Sequence, residues 1–598
     1  MPEKFDLVIR GGTIVDGNGG DAFIGDIAIS GSKVAVVGEV DGSGRQEIDA
    51  AGLTVVPGFV DVHTHYDGQV TWESRLSPSS EHGVTTVVMG NCGVGFAPVR
   101  SGDHNLMIKL MEGVEDIPEA VMAEGVPFNW ETFPEYLDAL AARETDIDFA
   151  AQLPHSPLRV YVMGERGANL EPPTDEDLST MRRLTKEAVI AGALGVTTSR
   201  ALVHRFRDGR AAPSTTTEVK ELEALAAGLR DANDGVFQLI LSTEQDSTHE
   251  WQVIRTLNEA SGRPVNFSLF SGSGVKGGSQ RLLDGLAEAE ADGRDIHGQF
   301  FPRPIGMLFG LDLSYHPFSL NPSYKEIEKL PLEEKVARMR DPELRKRLLS
   351  EKPEDPNPFF LWVVEQTHIL FPLGDPPNYS PSPHDSIKAR AATLGISERE
   401  LMYDELLRQN GRAIIYCPMG NSDENRFDIA VDLFGRPGTV VGLGDGGAHY
   451  GMICDAGYTT FILTEYVRDK SRINIETAIK MLAHDTAASV GLNDRGLLKP
   501  GYKADINVID LDRLHLYAPQ VKHDLPAGGK RLSQKARTGT KRQSFPGRSS
   551  TGAAGQRAPC RDASSAGRNR RRLELKAAPS RSGAGQPKHG CRPVRTLG

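Results

Sequence analysis

A (β/α)8 barrel carrying a small accessory sheet is the fold class that this sequence predicts, and three observations predict it. Apolar, β-branched runs alternate with charged, helix-like stretches about eight times over roughly 400 residues, the pattern of parallel strands joined by crossover helices. Roughly the first 50 residues read differently, as short alternating runs cut by glycine turns. A last strand-like run, Pro500-Gly501-Tyr502-Lys503-Ala504-Asp505-Ile506-Asn507-Val508-Ile509-Asp510, follows the alternating region and can return to that first sheet.

In chain order, Phe5-Asp6-Leu7-Val8-Ile9-Arg10 runs into Gly11-Gly12. Thr13-Ile14-Val15-Asp16, residues 25–30 and residues 33–38 follow as short strands with one buried face. Residues 53–62 change the texture to an apolar run suited to a strand buried on both faces. Further strand candidates are residues 85–90, 149–153, 194–198, 236–241, 265–269, 413–416 and 439–443, with helices such as 174–191 and 217–232 between them. Residues 300–385 break the rhythm with a Pro-rich, aromatic segment that holds a charged helix; an insert of that length reads as a lid or binding loop. From residue 537 onward the chain has no Ile, Met, Trp or Tyr and is rich in Arg, Ser, Gly, Ala and Pro. Such a composition cannot bury enough surface to fold alone, so 537–598 is expected to be a disordered basic tail, with the look of an out-of-frame reading.

The net charge of −12 over 598 residues hides an asymmetry. Residues 531–598 hold 17 basic and 2 acidic side chains, which leaves 51 basic and 78 acidic in the acidic body. The basic tail has one Phe and no stacking or groove-reading motif, so no nucleic-acid partner is expected. No window is apolar for the ~18 residues a membrane helix needs, and the first ten residues lack a signal-peptide core. Five widely spaced cysteines argue against a disulfide framework and for a reducing compartment, so a soluble cytoplasmic protein with no membrane contact is expected.

The strongest chemical signal is Val62-His63-Thr64-His65-Tyr66-Asp67, directly after the buried strand. Strand side chains repeat every two residues, so His63 and His65 share a face and can converge on one metal ion at the mouth of a barrel. Cys92, in Gly90-Asn91-Cys92-Gly93 at the end of the next strand, can supply a thiolate to the same ion; the alternative is an inert buried thiol. Asp445, in Gly442-Leu443-Gly444-Asp445-Gly446-Gly447, suits a carboxylate that takes a proton from water and returns it to a leaving amine, or a plain turn residue. That same stretch satisfies G-x-G-x-x-G with Glu465 about twenty residues on, a dinucleotide reading set aside because the motif does not open a βαβ unit.

Taken with Gly11-Gly12-Thr13-Ile14-Val15-Asp16, Met111-Glu112-Gly113-Val114-Glu115-Asp116-Ile117-Pro118 and Gly192-Ala193-Leu194-Gly195, these motifs resemble the amidohydrolase superfamily. Within it they resemble the N-acyl-D-amino-acid deacylases, or D-aminoacylases, over residues 5 to about 536. The resemblance implies a TIM-like metal-dependent hydrolase barrel over 58–484, with the insertion 300–385, and a β-sandwich built from 1–57 plus 485–536. It implies hydrolysis of a linear amide of a small N-acylated amino acid. It also implies zinc, as one or two divalent ions, on His63, His65, Cys92 and Asp445, with Asp445 as acid and base. His155 resembles a histidine near the substrate, and His449 is read either as orienting the oxyanion or as a structural hydrogen-bond partner. Two family features are absent: a histidine after the next barrel strand and a His-His-Lys after the one following, where this chain reads Ser242-Thr243-Glu244-Gln245 and Asn266-Phe267-Ser268-Leu269. Glu244 or His249 then becomes a substitute ligand. The alternatives are a barrel of this fold without a catalytic metal, or a hydrolase of another amide, cyclic ones included.

Overall fold

In a computed structural model of the chain, residues 4–537 are described apart from residues 243, 272–277, 354–357 and 423–425. The expected tail, Arg537 excepted, therefore lies outside the described residues. No helix among the described residues is long and apolar enough to cross a membrane.

The accessory sheet has six strands. Lys4–Ile14 pairs antiparallel with Phe23–Ser30, which pairs with Lys33–Gly38, while Ser43–Asp49 and Thr54–Pro57 run parallel to Lys4–Ile14. Ile506–Ile509 closes the far edge, antiparallel to Thr54–Pro57, so the chain does return to its first sheet. Alternation produces the buried face: Ile9, Ile14, Ile27, Ile29, Val34 and Val55 pack with Leu498. The last residues, His515–Leu516 with Ala536–Arg537 and Gln520–Lys522 with Arg531–Ser533, form two separate two-stranded ribbons outside that sheet.

The barrel follows. Phe59–Asp61, Val84–Met89 and Asp148–Ala151 pair in parallel, and the third strand continues after a break as Leu153–Pro154. From there the parallel order runs through Gly195–Ser199, Val236–Ile240, Val265–Ser268, Ile296–Phe300 and Thr439–Val441. Just beyond the last strand, Asp445 N–H donates to the His63 carbonyl at 3.2 Å and His65 N–H to that of Gly446 at 2.7 Å, tying the eighth strand's end to the first's. Helices such as Asp175–Ala191, opened by a Thr174/Asp177 capping box, cover the outside.

One strand reading needs correction and one strand was missed. The run at 413–416 is not a barrel strand: Ile415–Met419 pairs antiparallel with Ile305–Phe309 and Phe371–Pro372. The true strand there is Ile296–Phe300, disguised because His297 and Gln299 interrupt its apolar pattern. The inserted unit therefore reaches Met419 rather than stopping near 385. It has its own core of Phe309, Phe318, Met339, Leu348, Tyr403 and Ile415.

At the closed end of the barrel a buried ion cluster locks the returning strand in place. Asp148, on the third barrel strand, accepts from Arg495 Nη1 at 2.7 Å and from Lys503. Replacing Asp148 by Ala leaves the buried Arg495 without its best partner, which should cost about 3–5 kcal/mol of stability. Urea unfolding checks this; a midpoint indistinguishable from wild type would refute the account.

The segment after the returning strand straps three parts of the molecule together. Arg531 binds Glu73 and the Ser77 carbonyl on the first barrel loop, Leu532 N–H donates to the Tyr450 carbonyl at 2.7 Å, and Gln534 Nε2 donates to the Tyr379 hydroxyl of the insert at 3.0 Å. Lys530 adds an ion pair to Asp312 of the insert.

Candidate metal centre

Four side chains converge where the first, second and eighth strands end. His63 and His65 leave the short segment after Phe59–Asp61, held by the Asp61 carboxylate, which accepts from His63 N–H at 3.2 Å. Cys92 lies in the turn after Val84–Met89 with φ of 55°, a left-handed backbone that swings its sulfur back over the barrel axis. Asp445 sits in the loop after Thr439–Val441, also left-handed at φ 48°. The surrounding glycines admit this loop against the histidine segment. A Cβ on Gly444 would lie 2.1 Å from the Asp61 carboxylate, and one on Gly446 would lie 2.4 Å from the Ser79 hydroxyl. The glycines are thus needed for close packing, and the dinucleotide reading loses its footing.

The donor atoms meet closely. Cys92 Sγ lies 3.4 Å from His63 Nε2 and 3.7 Å from His65 Nε2, while Asp445 Oδ1 lies 3.5 and 3.7 Å from the same two nitrogens. Donors this close can share one zinc ion, whose bonds to nitrogen and sulfur run about 2.0–2.3 Å, and the Asp445 carboxylate flanks the two imidazoles on the other side. His63, His65 and Cys92 are also the one group of metal-competent ligands, mutually within 4.8 Å, found among the described residues.

The electrostatics fit a cation at this point. Burial pushes Asp445, Glu115 and the Cys92 thiol well above their ordinary pKa values and Asp61 and Asp67 up to about 7, while it pushes His63 down to about 3. The charges felt most by Cys92 after burial are those of Glu115, Asp445 and Asp67, all negative. Acids crowded this way are held ionised most readily by a positive ion among them. Access runs past Asp445 and His449, each with 18% of its side-chain surface exposed against 1–2% for His63 and His65.

Other side chains named from the sequence lie elsewhere. His155 is fully buried with both ring nitrogens engaged, Nδ1 to Thr198 Oγ1 at 2.8 Å and Nε2 to Glu221 Oε1 at 2.9 Å, and Arg159 binds the same Glu221. Such a clamp joins helix His155–Met163 to helix Val219–Ala232 and offers nothing to a substrate. Glu244 and His249 are exposed, His249 in the first turn of helix Ser247–Ser261, and neither belongs to the ligand group. His449 does reach the centre's edge, 3.6 Å from Glu115.

Three contributors escaped the sequence reading. The Gln238 side-chain amide lies 3.0 Å from His63 Nδ1. With its oxygen toward the ring it accepts the Nδ1 proton and leaves the Nε2 lone pair for a metal, an orientation that also gives the otherwise unpartnered Gln238 Oε1 its bond. A polar residue midway along the apolar strand Val236–Ile240 was its signal. Glu115 faces His65 at 3.4 Å; its signal was a carboxylate on the same helical stripe as Met107 and Met111. His204, on the loop after Gly195–Ser199, is a fourth imidazole electrostatically coupled to His63 and His65, its own pKa lowered to about 4 by burial.

Comparisons with known proteins agree with this site and barrel. The model of the "Amidohydrolase family" matches residues 46–540. An N-acyl-D-aspartate deacylase of Alcaligenes xylosoxydans xylosoxydans is 27% identical over 90% of this chain and 94% of its own. A D-aminoacylase of the same organism is 27% identical over 85% and 88%. Among solved structures, a D-aminoacylase superposes with a TM-score of 0.57 at 23% identity, covering 86% of this chain and 91% of its own. An N-acyl-D-glutamate deacylase from Bordetella bronchiseptica, complexed with zinc and a phosphonate inhibitor, gives 0.56 at 22%, covering 89% and 95%. Both superpositions support the (β/α)8 barrel as the fold. With a family model spanning most of its length, and with the histidine pair, thiol and carboxylate at the mouth of its barrel, this chain belongs to the amidohydrolase family.

Proposed function

We propose that this protein hydrolyses the amide bond of a small N-acylated amino acid, with zinc held by His63, His65, Cys92 and Asp445. The observation that carries the reading is the convergence of two imidazoles and a thiol within 4.8 Å of one another, with the Asp445 carboxylate 3.5 and 3.7 Å from the two imidazole nitrogens. The nitrogen and sulfur donors favour zinc over magnesium or calcium. The names of the relatives, N-acyl-D-aspartate deacylase and D-aminoacylase, support a D-configured N-acyl amino acid as substrate.

A divalent ion there supplies Lewis acidity, polarising the amide carbonyl and making an attacking water acidic near neutral pH. Asp445, on the accessible side, accepts the proton of that water as its oxygen bonds to the carbonyl carbon. The same carboxyl group then gives the proton to the amide nitrogen as the C–N bond breaks, releasing a carboxylic acid and a free amine. Its left-handed backbone and its N–H bond to the His63 carbonyl fix the carboxyl group at that place. The inserted unit is tied to this loop at its base, where Leu308 N–H donates to the Met452 carbonyl at 2.8 Å, and it closes over the acyl group to set specificity. All three described cysteines are free thiols, which supports a cytoplasmic enzyme.

Elemental mass spectrometry and a hydrolysis assay test the reading together. The purified chain should carry close to one zinc, lose cleavage of N-acetyl-D-amino acids on chelation, and regain it when zinc is returned. Negligible metal even after zinc is added back would overturn it in favour of a barrel that has lost its ion.

A further inference from the structure

We propose that Glu115 is a positioning residue of the metal centre, taking the Nδ1 proton of His65 on one carboxylate oxygen and the Nε2 proton of His449 on the other. One buried acid then sets the ring tautomers of a metal ligand and of a histidine at the entrance. The inference rests on the metal-hydrolase reading above.

The geometry is specific. Glu115 ends helix His104–Glu115, where Asp116 takes a left-handed backbone and turns the chain toward the loop that bears Asp445. Its carbonyl accepts from His449 N–H at 2.5 Å, so backbone and side chain grip the same residue. Its Oε1 lies 3.4 Å from His65 Nδ1 and its Oε2 3.6 Å from His449 Nε2. Glu115 and His65 are each 1% exposed, and Glu115 Oε1 and His65 Nδ1 are buried polar atoms that lack a hydrogen-bond partner while facing one another. A shift of a few tenths of an ångström makes both bonds, and leaving such atoms unmade is what folded proteins avoid.

The consequence for His65 is direct. Its Nε2 faces Cys92 and Asp445, so it binds an ion only with its proton on Nδ1, the state that a carboxylate on that side enforces. His449 is affected in the opposite sense. With its Nε2 proton on Glu115, a neutral ring presents the lone pair of Nδ1, an atom that is also without a partner. It accepts a hydrogen bond from the attacking water or the substrate N–H, and does not donate to an oxyanion.

Zinc affinity of the metal-stripped protein, measured by competition with a chromophoric chelator, tests this alongside 15N NMR of histidine-labelled, zinc-loaded protein. Glu115→Gln should bind zinc roughly 10–100-fold more weakly than wild type. Glu115→Asp should recover part of the loss, and His449→Ala should leave zinc affinity unchanged. In the wild type, His449 should show a neutral ring protonated on Nε2. Equal zinc affinity in a folded Glu115→Gln overturns the positioning role alone. Should that variant not fold, an Nδ1-protonated His449 in the wild type overturns it. A wild type that binds no zinc overturns the metal reading and this inference with it.

Discussion

Asp445→Asn is expected to lower kcat by roughly 10²–10⁴-fold, the contribution of a positioned acid–base group, while zinc content and KM change little. Asn has nearly the shape of Asp, and the loop's two backbone bonds to the histidine segment do not involve the side chain. Three other donors remain to hold the ion, so the loss falls on proton transfer rather than on assembly. Initial rates and zinc content measured on the same samples separate these effects. A variant within tenfold of wild type would remove Asp445 from the chemistry.

The second large effect is expected from His63→Ala/His65→Ala. Only Cys92 and Asp445 then remain, two donors where a tightly held zinc takes four. Zinc in the purified variant should fall to background, and hydrolysis with it. Because Gln238 and Glu115 lose their ring partners in the same stroke, circular dichroism must accompany the assay, with Cys92→Ser as a smaller perturbation of the same set. Zinc retained in full by the folded double variant would place the ion elsewhere.

Much of the barrel is legible in the sequence because strands buried on both faces read as unbroken β-branched runs. The same rule misleads at 413–416, where an equally apolar run packs in the insert, since composition says that a strand is buried but not beside which partner. It misleads again at Ile296–Phe300, whose Gln299 lies inside the barrel against the Gln238 amide. At the candidate site, a two-residue spacing and the ends of successive strands are local facts, so the meeting place of His63, His65, Cys92 and Asp445 can be read from the chain. Glu115 cannot, because its relevance lies in contacts with residues 50 positions before it and more than 300 after it. His155 shows the converse: its motif draws attention, yet Thr198 and Glu221 occupy both of its nitrogens.

The strap formed by Lys530, Arg531, Leu532 and Gln534 bears on the order in which the molecule is finished. Arg531 meets Glu73 across 458 residues of sequence, and Gln534 meets His82 across 452. A ribosome that has already released the barrel strands and the histidine pair has still not delivered the side chains that brace the loop of Asp445. The nascent chain therefore carries the barrel strands with an unbraced Asp445 loop until residues 530–534 have emerged. Contacts of such long range close slowly, because the entropy of joining the ends is lost before the contact repays it. Hydrolytic competence should appear during refolding after the barrel's secondary structure has formed, timed by the docking of those few residues.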